Sequence, residues 1–185
     1  MAIALDPEWF ARPAPEVAPD LIGCLLVRRH PNGQMYRGRI VETEAYMAGD
    51  PACHGYRRQT PRNAPMFATA GTIYVYQIYG VHHCLNIVSD RPQVASAVLI
   101  RALEMITPTL AARSAAGPGK LCHLLAIDRQ LSGTVLGEAT GLWIEPPPQA
   151  VVGTVVQTRR IGISQGQEIP WRWYLQGNAA VSRYS

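Results

Sequence analysis

The chain has no apolar run approaching the roughly 20 residues that a membrane-spanning helix needs, so a membrane protein of helical type is not expected. Its start, "MAIALDPEWF", lacks a basic stretch followed by a long apolar segment, the pattern of a secretory leader. The expected compartment is therefore the cytoplasm. Cys24, Cys53, Cys84 and Cys122 are scattered, with no CxxC pair and no short disulfide framework, so buried reduced thiols are expected. Internal repeats and low-complexity linkers are also missing, which favours one domain over residues 1–185. Lysine is nearly absent: of 17 cationic side chains only Lys120 is one. An arginine-dominated set favours planar, bidentate contacts over diffuse attraction. The net charge of +4 allows a polyanionic partner without requiring one.

A length of 185 residues suits one domain with a proper core. Asp6-Pro7 predicts a helix start, "APDLIGCLLVRR" runs from helix into strand, and "PNG" at 31–33 turns into a second strand carrying Tyr36 to Tyr46. Residues 47–65 read as a long loop, a feature that is usually functional or disordered. Strands are predicted at 72–79, 83–89 and 95–104, a helix at 119–127 after a Gly-Pro-Gly break, and two or three more strands from 141 onward. The sum is a mixed α/β domain: a curved, mainly antiparallel β-sheet flanked by helices.

Two stretches hold the unusual chemistry. In "VETEAY" (41–46), strand alternation puts Glu42, Glu44 and Tyr46 on one face and small groups on the other. For either acid alone, a solvated or salt-bridged role is the ordinary one. In "TIYVYQIYGVHHCLNIVSD", Tyr74, Tyr76 and Ile78 share one face while Val75, Gln77 and Tyr79 take the other. Tyr79, beside Gly80, can stand out as a wedge, although core packing is the commoner fate of strand aromatics.

The blocks "RGRIVETEAY", "ACH", "RQTPRNAPMF", "GTIYVYQIYG", "HHCLNIV", "AVLIRALE", "GPGKLCHLLAI" and "RRIGIS" occur in an order that resembles the alkyladenine (3-methyladenine) DNA glycosylase family, over roughly residues 20–182. The resemblance implies a monofunctional DNA glycosylase of base excision repair. Such an enzyme hydrolyses the N-glycosidic bond of a flipped-out alkylated purine and leaves an abasic site, with hypoxanthine and ethenoadenine as further candidate substrates. It implies Glu44 as the base that activates water, with Arg101 and the backbone carbonyl of Ile161 helping to hold that water. Arg101 taken alone reads equally well as a buried partner for a carboxylate. Glu42 becomes a structural acid paired with an arginine.

By the same resemblance Tyr46 and His54 flank the base on one side and Tyr76 on the other, Asn86 crowds the amino group of guanine, and Tyr79 is the wedge left in the duplex. Arg58, Thr60, Arg62 and Lys120 lie in loops suited to DNA backbone contact. The implied partner is double-stranded DNA containing damaged purines, on the nucleoid if the host is bacterial. No metal, cofactor, membrane or obligate protein partner is expected, and the chain is expected to act as a monomer. Three departures fall on DNA-facing edges: a short "MITPTLAARSAA" segment at 105–116, "ATAG" before the tyrosine strand, and His83 before Cys84.

Two other readings compete. One is a zinc-containing nucleic-acid module using Cys53-His54, His82-His83-Cys84 and Cys122-His123, though none has the spacing of structural zinc. The other is a non-catalytic binder of damaged or modified nucleic acid, which would have no need of a water-holding acid together with Arg101 and Asn86.

Overall fold

The computed structural model describes residues 4–183. Asp6 caps a short 3-10 helix, Pro7–Phe10, by accepting the Glu8 N–H at 2.9 Å. Proline fits the first helical position because the N–H it lacks would have no partner there. Helix α1 (Ala14–Asp20) turns Ala14, Val17 and Ala18 into the core. Three residues of turn then lead into β1 (Leu25–Arg29) and, after the expected turn at 31–33, into β2 (Met35–Met47), the longest strand.

The remaining strands are β3 (Ile73–Ile78), β4 (His82–Val88), β5 (Ser96–Thr107), β6 (Leu142–Glu145), β7 (Val155–Thr158) and β8 (Arg172–Leu175). All eight form one sheet in the order β3-β4-β5-β2-β1-β6, with β8 beside β2 and β7 beside β8; every pairing is antiparallel. The mixed α/β architecture with a dominant antiparallel sheet is thus as expected, and three strands follow residue 141.

Strand β2 organises the site. Along one edge it pairs with β5 throughout; along the other it pairs first with β1, over Met35–Arg39, and then with β8, over Glu42–Glu44. The two glutamates therefore lie mid-sheet, with strands on both sides. Two of the three jumps in the β2–β5 register flank Glu42: Ile40 faces Leu103, Glu42 faces Ala102 and Thr43 faces Ile100. Val41 and Arg101 are each left without an opposite residue. Such bulges bend a strand and re-aim a side chain, and here the re-aimed side chain is Arg101.

The main core lies between the sheet and α1 with α2 (Pro118–Leu124). The helix expected over 119–127 stops early because Ala126 turns to φ 48° and the Ile127 N–H closes back on the Cys122 carbonyl at 2.8 Å. Arg28 then donates to the carbonyls of Leu125 and Ala126, which the helix end leaves without N–H partners.

A second cluster, Cys53, Met66, Tyr74, Val88, Ala95 and Ala97, sits under the long loop. That loop is tied down. Buried Asn63 donates to the carbonyls of His54 (2.8 Å) and Arg58 (3.0 Å) and accepts the Thr60 N–H at 2.6 Å. The four cysteines are buried free thiols. No helix among the described residues is long and apolar enough to cross a membrane.

Candidate active site

Opposite residues in antiparallel strands share a face, so one lateral row can be followed across four strands: Glu44 on β2, Leu99 on β5, Asn86 on β4 and Tyr74 on β3. Leu99, Asn86 and Tyr74 line a cavity of about 530 Å³. Its walls include Tyr46, His54, Tyr76, Ile78, Tyr79, Arg101, Gly117, Lys120 and Ile161. Eight of the residues singled out in the sequence thus converge on one space, from β2, β3, β4, β5, the long loop, α2 and the segment after β7.

Glu44 itself is fully buried and is not among the lining residues. Its carboxylate lies behind three groups that are. The Tyr46 hydroxyl donates to Oε2 at 2.7 Å, the Ile161 N–H donates to Oε1 at 2.8 Å, and Arg101 Nη1 stands 3.4 Å from Oε1. Ile161 was expected to contribute through its carbonyl; the contact observed with Glu44 comes from its amide.

Glu42, equally buried, faces a different set. Arg101 Nε (3.1 Å), Arg172 Nε (2.7 Å) and the Ser182 hydroxyl (2.9 Å) all donate to its Oε1, and the Ser182 N–H donates to Oε2 at 2.7 Å. Arg101 bridges the two acids. Burial works to lower its pKa, but the charges of Glu44 and Glu42 outweigh that and raise it.

Tyr46 has its pKa pushed well above the ordinary phenol value by burial and by Glu44, so its hydroxyl stays a donor. His54 Nδ1 is 2.8 Å from the Tyr74 hydroxyl, and the His54 ring meets Tyr76 edge-on with centroids 4.5 Å apart. His54 and Tyr76 therefore touch each other and form one continuous wall with Tyr74. Burial, and next the charge of Arg62, lower the His54 pKa and favour the neutral ring. Asn86 uses its amide NH2 on the carbonyls of Tyr74 (3.1 Å) and Cys84 (3.3 Å), which holds it flat against β3.

Tyr79 stands at the β3–β4 turn with φ 50° and is 86% exposed; Val81 beside it is 70% exposed. A positive φ is uncommon for a bulky residue and is found mostly at constrained or functional turns. Lys120 is exposed at the cavity rim, its ammonium 3.5 Å from the Arg113 carbonyl. Arg58, Thr60 and Arg62 line a neighbouring cavity of about 670 Å³, together with Ser164, which shares Ala52, His54, Tyr74, Gly162 and Ile163 with the first.

The sequence reading missed Arg172, Ser182, Asn63, and the pair Asp50–Arg160. Nothing local in the sequence points to Arg172 or Ser182. Arg160 lies within the "RRIGIS" block, and only its neighbour Ile161 was singled out. Among the described residues, those of the Cys-His pairs considered for zinc included, no group of three or more His, Cys, Asp or Glu side chains could hold a metal ion.

A carboxylate set behind an aromatic cavity, with an exposed aromatic at its lip, suits an enzyme acting on an extruded nucleobase, and comparison with known proteins assigns the class: the chain is a DNA glycosylase, a hydrolase of DNA repair. It belongs to the methylpurine-DNA glycosylase family, which it matches over residues 8–179. Curated relatives carry the name "Putative 3-methyladenine DNA glycosylase". That of Synechococcus elongatus is 55% identical over 182 residues, covering 97% of this chain and 92% of its own. That of Synechococcus sp. strain JA-3-3Ab is 50% identical, covering 96% and 98%. An archaeal relative from Methanoculleus marisnigri is 42% identical, covering 98% and 100%.

Proposed function

We propose that the protein excises alkylated purines of the 3-methyladenine type from duplex DNA by hydrolysis, using a water deprotonated by Glu44, and leaves an intact abasic strand. The observation that carries this is the contrast between the two buried acids. Each partner of Glu44 also faces the cavity, whereas Glu42 is closed off by Arg172 and Ser182.

The flipped purine would lie between Tyr46 and the His54–Tyr76 wall, with Asn86 at its edge. An alkylated purine is cationic, so as the glycosidic bond breaks its electron pair returns to the base, which leaves neutral. The sugar becomes oxocarbenium-like. Among the described residues Oε2 of Glu44 accepts from the Tyr46 hydroxyl alone; the carboxylate takes the water's proton as the oxygen bonds to the sugar carbon. Arg101 and the Ile161 N–H hold Oε1 and so aim the carboxylate. Neutral lesions such as hypoxanthine and ethenoadenine would also need a proton donor to the base.

Tyr79 fills the gap in the duplex, and Arg58, Thr60, Arg62 and Lys120 contact the backbone. The protein would act as a monomer in the cytoplasm, on nucleoid DNA in a bacterial host, without metal or cofactor. The test is Glu44→Gln. Single-turnover base release from alkylated duplex is expected to fall by about 10²–10⁴-fold, the usual share of a general base, with binding to an abasic analogue little changed. Wild-type turnover would remove Glu44 from the role.

A strand-nicking glycosylase would need an amine at the sugar carbon. Lys120 is the chain's only lysine; it is exposed, with its ammonium against the Arg113 carbonyl, and Met1, which carries the other candidate amine, lies outside the described residues. Borohydride added during turnover is expected to trap no protein–DNA adduct. An adduct that vanishes in Lys120→Ala would replace the water mechanism.

A further inference from the structure

We infer that Arg160, paired with Asp50, is a positioning residue for the glycosylase reaction, holding Tyr46 and the Ile161 N–H in register with Glu44. The inference rests on the reading of Glu44 as the base.

Arg160 is 6% exposed. Its Nη1 and Nη2 donate to the two oxygens of Asp50, Nη1 also donates to the Ala45 carbonyl at 3.0 Å, and Nη2 donates to the Gly166 carbonyl at 3.2 Å. The guanidinium carbon lies 4.7 Å from the centre of the Tyr46 ring and 5.6 Å from that of Trp171.

Three parts of the site meet at this one side chain. The first is β2: β8 pairs with it only as far as Glu44, and beyond that point Ala45 is held by the Trp171 carbonyl on its N–H (2.9 Å) and by Arg160 on its carbonyl. Ala45 is the residue between Glu44 and Tyr46. The second is the loop bearing His54, which Asp50 shapes by accepting the Ala52 N–H at 3.0 Å and, through its carbonyl, the Cys53 N–H at 2.9 Å. The third is the 160–166 segment, which the Arg160–Gly166 contact closes into a loop and which presents Ile161.

This pair is an expensive way to hold a fold. Apolar residues of similar volume often replace a buried ion pair at no loss of stability, and Arg160 Nε is buried without a hydrogen-bond partner among the described residues. A planar fork that bonds four acceptors and stacks on a ring can orient several groups at once; a lysine at the same place would keep the charge and lose both properties.

Two variants test it. Arg160→Lys keeps the charge against Asp50. Gly166→Ala changes no site side chain but puts a methyl 3.0 Å from Asp50 Oδ1 and 3.1 Å from Arg160 Nη2, so the pair gives by a few tenths of an ångström, and at φ 60° it also strains the 160–166 loop that carries Ile161. In each, the single-turnover rate constant at saturating enzyme, the dissociation constant for duplex with an uncleavable abasic analogue, and the thermal midpoint are measured.

The rate constant is expected to fall by about 10- to 100-fold, the scale of a misplacement of about 1 Å, while the dissociation constant stays within about threefold. A purely structural role would lower the midpoint and the active fraction and leave the rate constant of the active enzyme unchanged, which would overturn the inference. A loss in binding equal to the loss in rate would overturn it too. If Arg160→Lys does not fold, Gly166→Ala decides by the same criteria. Glu44→Gln, measured alongside, separates the two claims: full turnover there sinks the base assignment, whereas an inactive Glu44→Gln beside a fully active Gly166→Ala sinks only the positioning role.

Discussion

Glu42 and Glu44 stand two residues apart in the middle of the sheet; Tyr79 and Val81 stand two residues apart at the tip of the β3–β4 hairpin, on the other side of the same cavity. The acids are 0% exposed, and Arg101, Arg172, Tyr46, Ile161 and Ser182 surround them with donors. At the tip, the apolar side chains lie in solvent with a backbone held at positive φ. The floor of buried acids has its partners within the protein, while the tip, in the role proposed for Tyr79, would meet its partner only in the duplex. Damage to the floor should therefore show in the free protein. Damage to the tip should show only with DNA.

The largest effect expected on this contrast is in Glu42→Gln. It leaves Arg172 and part of Arg101 as buried, under-compensated charge, and breaking a buried pair of this kind costs about 3–5 kcal/mol. Urea unfolding should report that loss without DNA present. A Glu42→Gln protein of wild-type stability with lost activity would exchange the roles of the two acids.

Next is Tyr79→Ala. Unfolding should be unchanged within about 0.5 kcal/mol, as for surface changes, and binding to a lesion in paired duplex should weaken by about 1–3 kcal/mol, one base–aromatic stack. Lesions in mismatched contexts, already loosened, should lose less. Equal losses in both contexts would make Tyr79 a simple contact. The smallest effect is expected from Arg58→Gln and Arg62→Gln. Each should lower the slope of log affinity against log salt by about one phosphate contact, with stability unaffected. An unchanged slope would take the 57–63 loop off the DNA backbone.

The two regions also differ in how far they could be read beforehand. The hairpin tip was legible in part: its determinants are adjacent in the chain, alternation on β3 and then Tyr79 against Gly80, and they allowed a projecting tyrosine without excluding a packed one, which its 86% exposure decides. The floor was legible in part. Period-two alternation placed Glu42 and Glu44 on one face, where either acid alone would ordinarily be solvated or salt-bridged, but both are fully buried, in a thirteen-residue strand with β5 along one edge and β1 and β8 along the other. Strand β5 runs to Thr107, three residues past its predicted end, because Met105 and Thr107 pair with Gly38 and Arg37 at the start of β2.

The sequence by itself determined the sheet-dominated class, the order of the strands along the chain and the face shared by the two acids, since each depends on residues within a few positions of one another. Only the tertiary structure decided which acid is sealed and which lies against the cavity, and that Arg101 reaches both from a bulge. It also decided that of the adjacent arginines Arg159 and Arg160 the first is exposed and the second buried. Glu42 is sealed by Arg172 and Ser182, 130 and 140 residues away, and Arg160 is buried against Asp50, 110 residues away. Burial of a charge is tolerated only where a partner arrives to meet it, and partners that far along the chain are brought there by the pairing of β2 with β8, not by any local pattern.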